Sequence, residues 1–576
     1  MSIPEKLTFR TLLENSSSKY SDRPALGFVG SEPLTYSDVY KSASRLMLTL
    51  SAYGIRKGDR VALLAQNMPN WGVSYLAVTA MGAVVVPILI DFTEAEIARI
   101  LEHSGAKTII VSEKQTYKLK TSLPPSLKSA LLMDDLEEIS LGSLEMSGKA
   151  VKSPLRSKES SNKMPEAPGE YDLAAILYTS GTTGNPKGVM LSHMNILSNA
   201  VNTLGIQNVV SGDRLLSVLP LPHTYECTIG FVIPFMTGAS VRYLDKPPTP
   251  TVLLPAMEEV KPTMMLTVPL IIEKVYRNRV LPKLTSGGIM RVLTKAGPVR
   301  KLLHKIAGKK IYKAFGGHLH FFGIGGSKLD AATELFLRDA GFPYAIGYGL
   351  TETSPLLAGC GPKVTKYQST GYSLPNQQIR IQSPDPKTGE GEIVARGPNI
   401  MLGYYKDPEM TKTVFTEDGW FKTGDLGYID NDGYLFIRGR IKNIIISSTG
   451  ENIYPEDIEA EINREHHVLE SLVYEMKGKL VAKIHLNYEE LDKRYQEMRE
   501  SAGHSYQDLK ESAGNMYEHM QHKAKARLNE IQQRVNSRLN RFSKLTFVEE
   551  QLEPFEKTPT KKIKRFLYFD KKKDNK

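Results

Sequence analysis

Apolar residues recur at helical spacing early in the chain. Val39, Ala43, Leu46, Leu50 and Tyr53 step by three or four, which predicts an amphipathic helix with Ser37 as N-cap and Gly54 as stop. A short apolar run, Val61 to Ala65, reads as a strand. Thr93 and Glu96 have capping-box spacing, so a second helix is expected from there to just before Gly105, followed by a strand over Thr108 to Val111. Repeated helix–strand units predict an α/β fold with mainly parallel sheets covered by helices. Residues from about Ser140 to Glu170 are rich in Ser, Lys and Pro and read as a long exposed loop.

The pattern changes near the C-terminus. From Leu491 through Met498, Ala513, Met520, Ala524, Leu528, Ile531, Val535 and Leu539 to Phe542, apolar residues return every three or four positions. This predicts a long amphipathic helical insertion over about 488–543, broken at Gly503 and Gly514 into a hairpin, with its stripe packed on its own domain.

Length and charge narrow the picture. A chain of 576 residues exceeds what one hydrophobic core supports, so two or more domains are expected. Cys227 and Cys360 stand far apart without metal-ligand spacing, which suits a reducing compartment. The N-terminus lacks a basic start followed by an apolar run, and the longest apolar run, Tyr75 to Ile90, is broken by Gly82 and Pro87. A cytoplasmic protein that does not cross the membrane is expected. The net charge is +11, and 13 Lys or Arg with no Asp or Glu lie between Lys274 and Lys328. Such a run reads either as a solvated helical surface or as a face for an anionic partner.

The strongest chemical signal is Tyr178-Thr179-Ser180-Gly181-Thr182-Thr183-Gly184-Asn185-Pro186-Lys187-Gly188, directly after the apolar strand Ala174 to Leu177. Hydroxyls on Thr179, Ser180, Thr182 and Thr183 can donate to phosphate oxygens. The glycines permit close backbone approach, and Lys187 adds positive charge. A Walker A loop cannot be threaded through it, and a flexible linker rarely follows an apolar strand so directly.

Further motifs follow in order. They are Leu219-Pro-Leu-Pro-His223-Thr-Tyr-Glu226, Gly325-Gly326-Ser327, Tyr348-Gly349-Leu-Thr351-Glu352-Thr353, Gly419-Trp-Phe-Lys-Thr-Gly-Asp425 and Gly439-Arg440-Ile-Lys442-Asn443. Singly, each residue has a plain explanation as packing or turn chemistry. Together they resemble the adenylate-forming superfamily of acyl-CoA synthetases, peptide-synthetase adenylation domains and luciferases, over essentially the whole chain. The resemblance implies that Tyr348 and Gly349 lie against adenine, that Gly325, Gly326 and Ser327 form the adenine turn, and that Thr351 meets phosphate. It implies further that Glu352 supports Mg²⁺, Asp425 takes the ribose hydroxyls, Arg440 reaches the nucleotide and His223 sits beside the reacting carboxylate. These residue types suit those tasks: an aromatic face stacks on a purine, a carboxylate accepts from a diol, and Mg²⁺ prefers hard oxygen.

The same resemblance implies a hinge at Lys442, dividing a large AMP-binding domain at 1–441 from a small mobile α+β domain at 442–576. Family members often carry Asp where this chain has Asn443. Lys557-Thr-Pro-Thr-Lys561-Lys562-Ile-Lys-Arg565 resembles the segment of the adenylation lysine. Its spacing from Thr558 and Arg565 selects Lys562, although Lys561 stands where the family usually has Gly. On charge pattern alone the segment reads as a basic tail. The implied reaction activates a fatty acid, long-chain by the similarity of His223 to Met236 and of Gly316 to Phe322 to long-chain acyl-CoA synthetases. ATP and Mg²⁺ would form the acyl-adenylate, and coenzyme A would receive the acyl group. An acyl-carrier protein as acceptor, and a non-catalytic acyl-adenylate or lipid sensor, are the alternatives. Peripheral contact of the basic run with anionic membrane is expected, and nucleic-acid binding is not.

Overall fold

Alternate residues of the early strands face different cores. Val61 and Leu63 join Val85, Ile110 and Leu131 in one cluster. Ala62 and Leu64 join Val84, Val86, Ile109 and Val111 in another. A sheet buried on both faces needs apolar residues at successive positions, which is why these strands read as unbroken apolar runs. The structure is a computed structural model and describes residues 6–121, 123–152, 164–179, 186–285, 296–446, 452–488, 514–558 and 562–569.

Two sheets dominate the larger of two compact units, which comprises residues 1–423 and 427–437. In the eight-stranded sheet, Leu173–Thr179, Val84–Ile88, Arg60–Leu64, Thr108–Val111 and Ser129–Leu132 run parallel. Lys187–Ser192 and Gly403–Tyr404 extend its edge antiparallel. The seven-stranded sheet has the order Tyr344–Ile346, Phe321–Ile324, Met264–Thr267, Arg214–Ser217, Ser240–Tyr243, Pro24–Phe28, Leu34–Thr35, with only the last antiparallel. One core takes in a face of each sheet together with helices Tyr36–Ala52, Pro69–Ala80 and His193–Leu204. Helix Pro69–Ala80 is buried from Trp71 onward on every side, as a helix apolar all round must be.

The Thr93–Glu96 box, the helix Glu94–Ser104, the left-handed Gly105 and the strand Thr108–Val111 all match the sequence reading. The first amphipathic helix starts earlier than expected. Its N-cap is Thr35, whose hydroxyl accepts from the Asp38 N–H at 3.1 Å while Asp38 accepts from the Thr35 N–H at 3.0 Å. That reciprocal pair displaces Ser37, which lies inside the first turn. The stretch read as a loop carries a short helix, Leu141–Ser147, capped by Ser140. Residues 153–163 of it lie outside the described residues.

The smaller unit comprises residues 424–426 and 438–576. It contains the sheet Val468–Met476, Lys479–Leu486, Phe547–Glu550 and the helices Pro455–Asn463 and Gly514–Arg538. Ala524, Leu528, Ile531 and Val535 are buried with Ile458, Ile462, Val473 and Ile484. The stripe of the long helix therefore packs on its own unit. Residues 489–513 of the expected insertion, with Gly503, lie outside the described residues.

Candidate active site

Strands Leu173–Thr179 and Lys187–Ser192 pair antiparallel, and Thr179 stands opposite Lys187. Ser180, Gly181, Thr182, Thr183 and Gly184, which follow Thr179 in the sequence, lie outside the described residues. Lys187 extends its ammonium to 5.6 Å from the centre of the Tyr404 ring and 3.6 Å from Met410 Sδ. The Tyr404 hydroxyl donates to Glu352 Oε1 at 2.9 Å. Backbone bonds fix this arrangement, from Tyr405 N–H to Gly188 O and from Met401 N–H to Glu352 O. One tyrosine thus links a cation and a carboxylate that are far apart in sequence. Tyr404 was not singled out from the sequence; the only local hint is an aromatic pair after Gly403, just ahead of the Asp407-Pro408 helix start.

Glu352 offers a hard anionic oxygen of the kind Mg²⁺ takes together with substrate phosphates. Among the described residues no group of three or more His, Cys, Asp or Glu gathers. A lone carboxylate of this kind fits a cation that arrives with a polyphosphate, with the remaining ligands drawn from substrate and water.

The other large-unit candidates follow parallel strands of the seven-stranded sheet. His223 comes after Arg214–Ser217, Gly325 to Ser327 after Phe321–Ile324, and Tyr348 to Glu352 after Tyr344–Ile346. Parallel neighbours present their carboxyl ends along one edge. The chain reverses its direction of growth beside Arg214–Ser217, the position where open α/β sheets bind ligands. Gly349 has no alternative there: a Cβ on it would lie 1.8 Å from the Pro355 carbonyl oxygen. The Tyr225 ring lies against Gly325, and Gly326 and Ser327 are exposed. Thr351 opens a short turn closed by the Leu350 N–H donating to Thr353 Oγ1 at 2.9 Å. Tyr348 packs beside Ala358, Ile393 and Leu435.

His223 precedes a π-helical stretch, Tyr225–Val232, which continues into Ile233–Thr237. Glu226 is buried here, with Oε1 accepting from Ser217 at 2.6 Å and Oε2 lacking a partner among the described residues. Burial without a cation raises its pKa to about 8, so the carboxyl is mostly protonated at neutral pH. The sequence motif contained Glu226 but assigned it no role.

In the smaller unit Asp425 is buried, and its Oδ1 pairs with Arg440 Nε at 2.7 Å. Lys442 is exposed in a single turn, Ile441–Asn443, where the Asn443 amide donates to Glu456 at 2.6 Å. Lys562 is exposed. Its N–H donates to Thr558 Oγ1 at 3.2 Å, and its carbonyl accepts from the Thr558 N–H at 2.7 Å. Three residues on, Arg565 pairs with Glu459 and Glu456. The Lys562 backbone is therefore tied to Thr558, and Arg565 anchors the chain that follows. Lys561 lies outside the described residues.

Residues 13–405 match the family model of AMP-binding enzymes. A feruloyl-CoA synthase of an Amycolatopsis species is 30% identical over 441 residues, 75% of this chain and 78% of the relative. A long-chain-fatty-acid–CoA ligase of Bacillus subtilis is 28% identical over 509 residues, 82% and 83% of the two chains. The crystal structure of ATP-bound MatB from Rhodopseudomonas palustris superposes with a TM-score of 0.71 at 24% identity, over 97% of this chain and 98% of the other. The two-unit α/β architecture is the fold these proteins share.

Proposed function

The chain belongs to the AMP-binding enzyme family, and from that premise we propose that it joins a carboxylic acid to coenzyme A through an acyl-adenylate. The observation that carries the reading is the Tyr404 bridge, which holds together Lys187, at the end of the hydroxyl-rich motif, and Glu352.

A carboxylate oxygen attacks the α-phosphorus of ATP and pyrophosphate leaves. Both partners are anions, so their approach needs positive charge already in place. Lys187 supplies part of it from the strand edge, and Lys562 supplies more from the smaller unit. Magnesium held through Glu352 would add charge on the departing phosphate oxygens. The hydroxyls of the Thr179–Thr183 motif and Thr351 orient phosphate, Tyr348 and the Gly325-Gly326-Ser327 turn receive adenine, and Asp425, paired with Arg440, accepts from the ribose hydroxyls. His223 lies beside the carboxylate. Esterification to AMP replaces an oxide that leaves poorly with one that leaves readily, and the coenzyme A thiolate then displaces AMP. Lys442 is the pivot on which the smaller unit exchanges one half-reaction for the next.

A fatty acid is the preferred substrate. The similarity of the His223–Met236 stretch to long-chain acyl-CoA synthetases, and of the chain to a long-chain-fatty-acid–CoA ligase, favours an apolar tail over a charged one. Similarity to a feruloyl-CoA synthase favours an aryl acid as the second reading.

The test is acid-dependent pyrophosphate release with MgATP across acids from acetate to stearate, with ferulate and coumarate included. It is followed by thioester formation with coenzyme A and, separately, with acyl-carrier protein. Release that peaks with the longer fatty acids, with coenzyme A as acceptor, is expected. Release confined to ferulate and coumarate would move the reading to aryl acids. No release with any acid would overturn it.

A further inference from the structure

Helix Gly297–Ala314 lies in the basic run that holds 13 Lys or Arg and no acid. Its inner face is fixed. A Cβ on Gly308 would lie 2.4 Å from the Ala340 Cβ, so the helix packs in close contact with Ala331–Ala340. Arg300 and His304 both reach the buried Asp339, at 2.9 and 3.0 Å. His304, Gly308 and Ile311 are buried on that side, and the helix cannot roll to bury another.

The outer face is unusual for a surface in water. Leu302 is 59% exposed and Ile306 51%. With about 100° per residue they lie roughly 40° apart at the centre of the exposed arc. Lys301 and Lys305 flank them on one side and Lys310 on the other, and Lys309 and Lys313 continue the arc toward the C-terminal end. All five lysines are exposed, and among the described residues no ion pair engages them. Two apolar side chains inside a ring of cations match an anionic bilayer surface. The lysines meet headgroups while the apolar pair enters the acyl boundary. No helix among the described residues is long and apolar enough to cross a membrane, so such contact is peripheral.

We infer that the outer face of this helix docks the protein on anionic lipid membranes. The inference stands on this surface and does not depend on which acid is the substrate. If that acid is a long-chain one, docking places the enzyme where the acid resides.

The test is flotation of the full-length protein with vesicles of phosphatidylcholine alone or of equal parts phosphatidylcholine and phosphatidylglycerol. Binding is expected only with phosphatidylglycerol, declining as salt rises. Each lysine removed lowers partitioning about fivefold. Lys305→Gln/Lys309→Gln should therefore bind about 25-fold more weakly, and Leu302→Ser/Ile306→Ser should lose retention at high salt. Both variants touch only exposed side chains, and an unchanged melting temperature shows that they fold. Three results would overturn the inference: binding indifferent to phosphatidylglycerol, variants that float like the parent, or capture of single-stranded nucleic acid or acidic carrier protein through these lysines in place of vesicles. Pyrophosphate release with a water-soluble short acid, measured on the same variants, separates loss of docking from loss of catalysis.

Discussion

Lys187 and Lys562 are assigned the same electrostatic task and are held in opposite ways. Lys187 emerges from a strand pair, and its surroundings come from residues about two hundred positions away, Tyr404 and Met410. Lys562 is positioned by its own neighbourhood, through Thr558 four residues before and Arg565 three after. Long-range packing fixes a charge permanently. A local backbone tie leaves a charge exposed at the surface. The contrast suits one cation that serves throughout the reaction and one that serves a single step.

The sharpest test of that contrast is Lys562→Ala. Adenylate formation should fall by about 10²–10³-fold, the loss typical of removing one preorganised electrostatic group. Thioester formation from supplied acyl-adenylate should keep its rate, and the melting temperature should not move. Equal loss in both half-reactions would erase the distinction between the two lysines.

Tyr404→Phe probes the permanent side. It keeps the ring under Lys187 and deletes the hydroxyl that donates to Glu352. A hydrogen bond to a charged group is worth about 1.5–3 kcal/mol, so adenylation should slow about tenfold or more. The magnesium concentration for half-maximal rate should rise as Glu352 loses its fixed orientation. An unchanged magnesium dependence would show that Tyr404 only fills space.

The smallest effect on rate is expected from Glu226→Gln, which asks how rigid the ground beside His223 is. Burial raises the Glu226 pKa to about 8, so the folded chain retains a proton that the unfolded chain releases from the ordinary carboxyl range upward. Stability should therefore fall as pH rises from about 4.5 to about 8, by a few kcal/mol in all. The glutamine variant has no such proton, so the wild-type melting temperature should drop relative to it across that window. Parallel pH profiles would mean that the carboxyl is ionised in the fold.

What the sequence disclosed follows the range of the interactions. The Thr93–Glu96 box, Gly105 and the strand after it were legible because each signal lies within a few residues of the element it defines. Thr35 was missed because Ser37 is an equally good cap by type, and only the Asp38 geometry decides between them. The Lys187–Tyr404–Glu352 bridge joins three distant segments and leaves no periodic trace, so Tyr404 stayed hidden while its partners were found through their motifs. The Asp425–Arg440 pair is intermediate: both members were identified, but their direct contact was not. Most of the hydroxyl-rich motif lies outside the described residues, and its part in the site rests on the motif and on its two flanking strands.

The burial of Trp71 within helix Pro69–Ala80 has an optical consequence. The chain has 2 tryptophans, Trp71 at 0% exposure and Trp420 at 9%, and both belong to the larger unit. Intrinsic indole emission is therefore a private reporter of that unit, and a melt followed by it passes over any separate unfolding of the smaller one. Comparing that trace with the helical circular-dichroism signal, to which Gly514–Arg538 contributes, would reveal whether the two units melt together or one at a time.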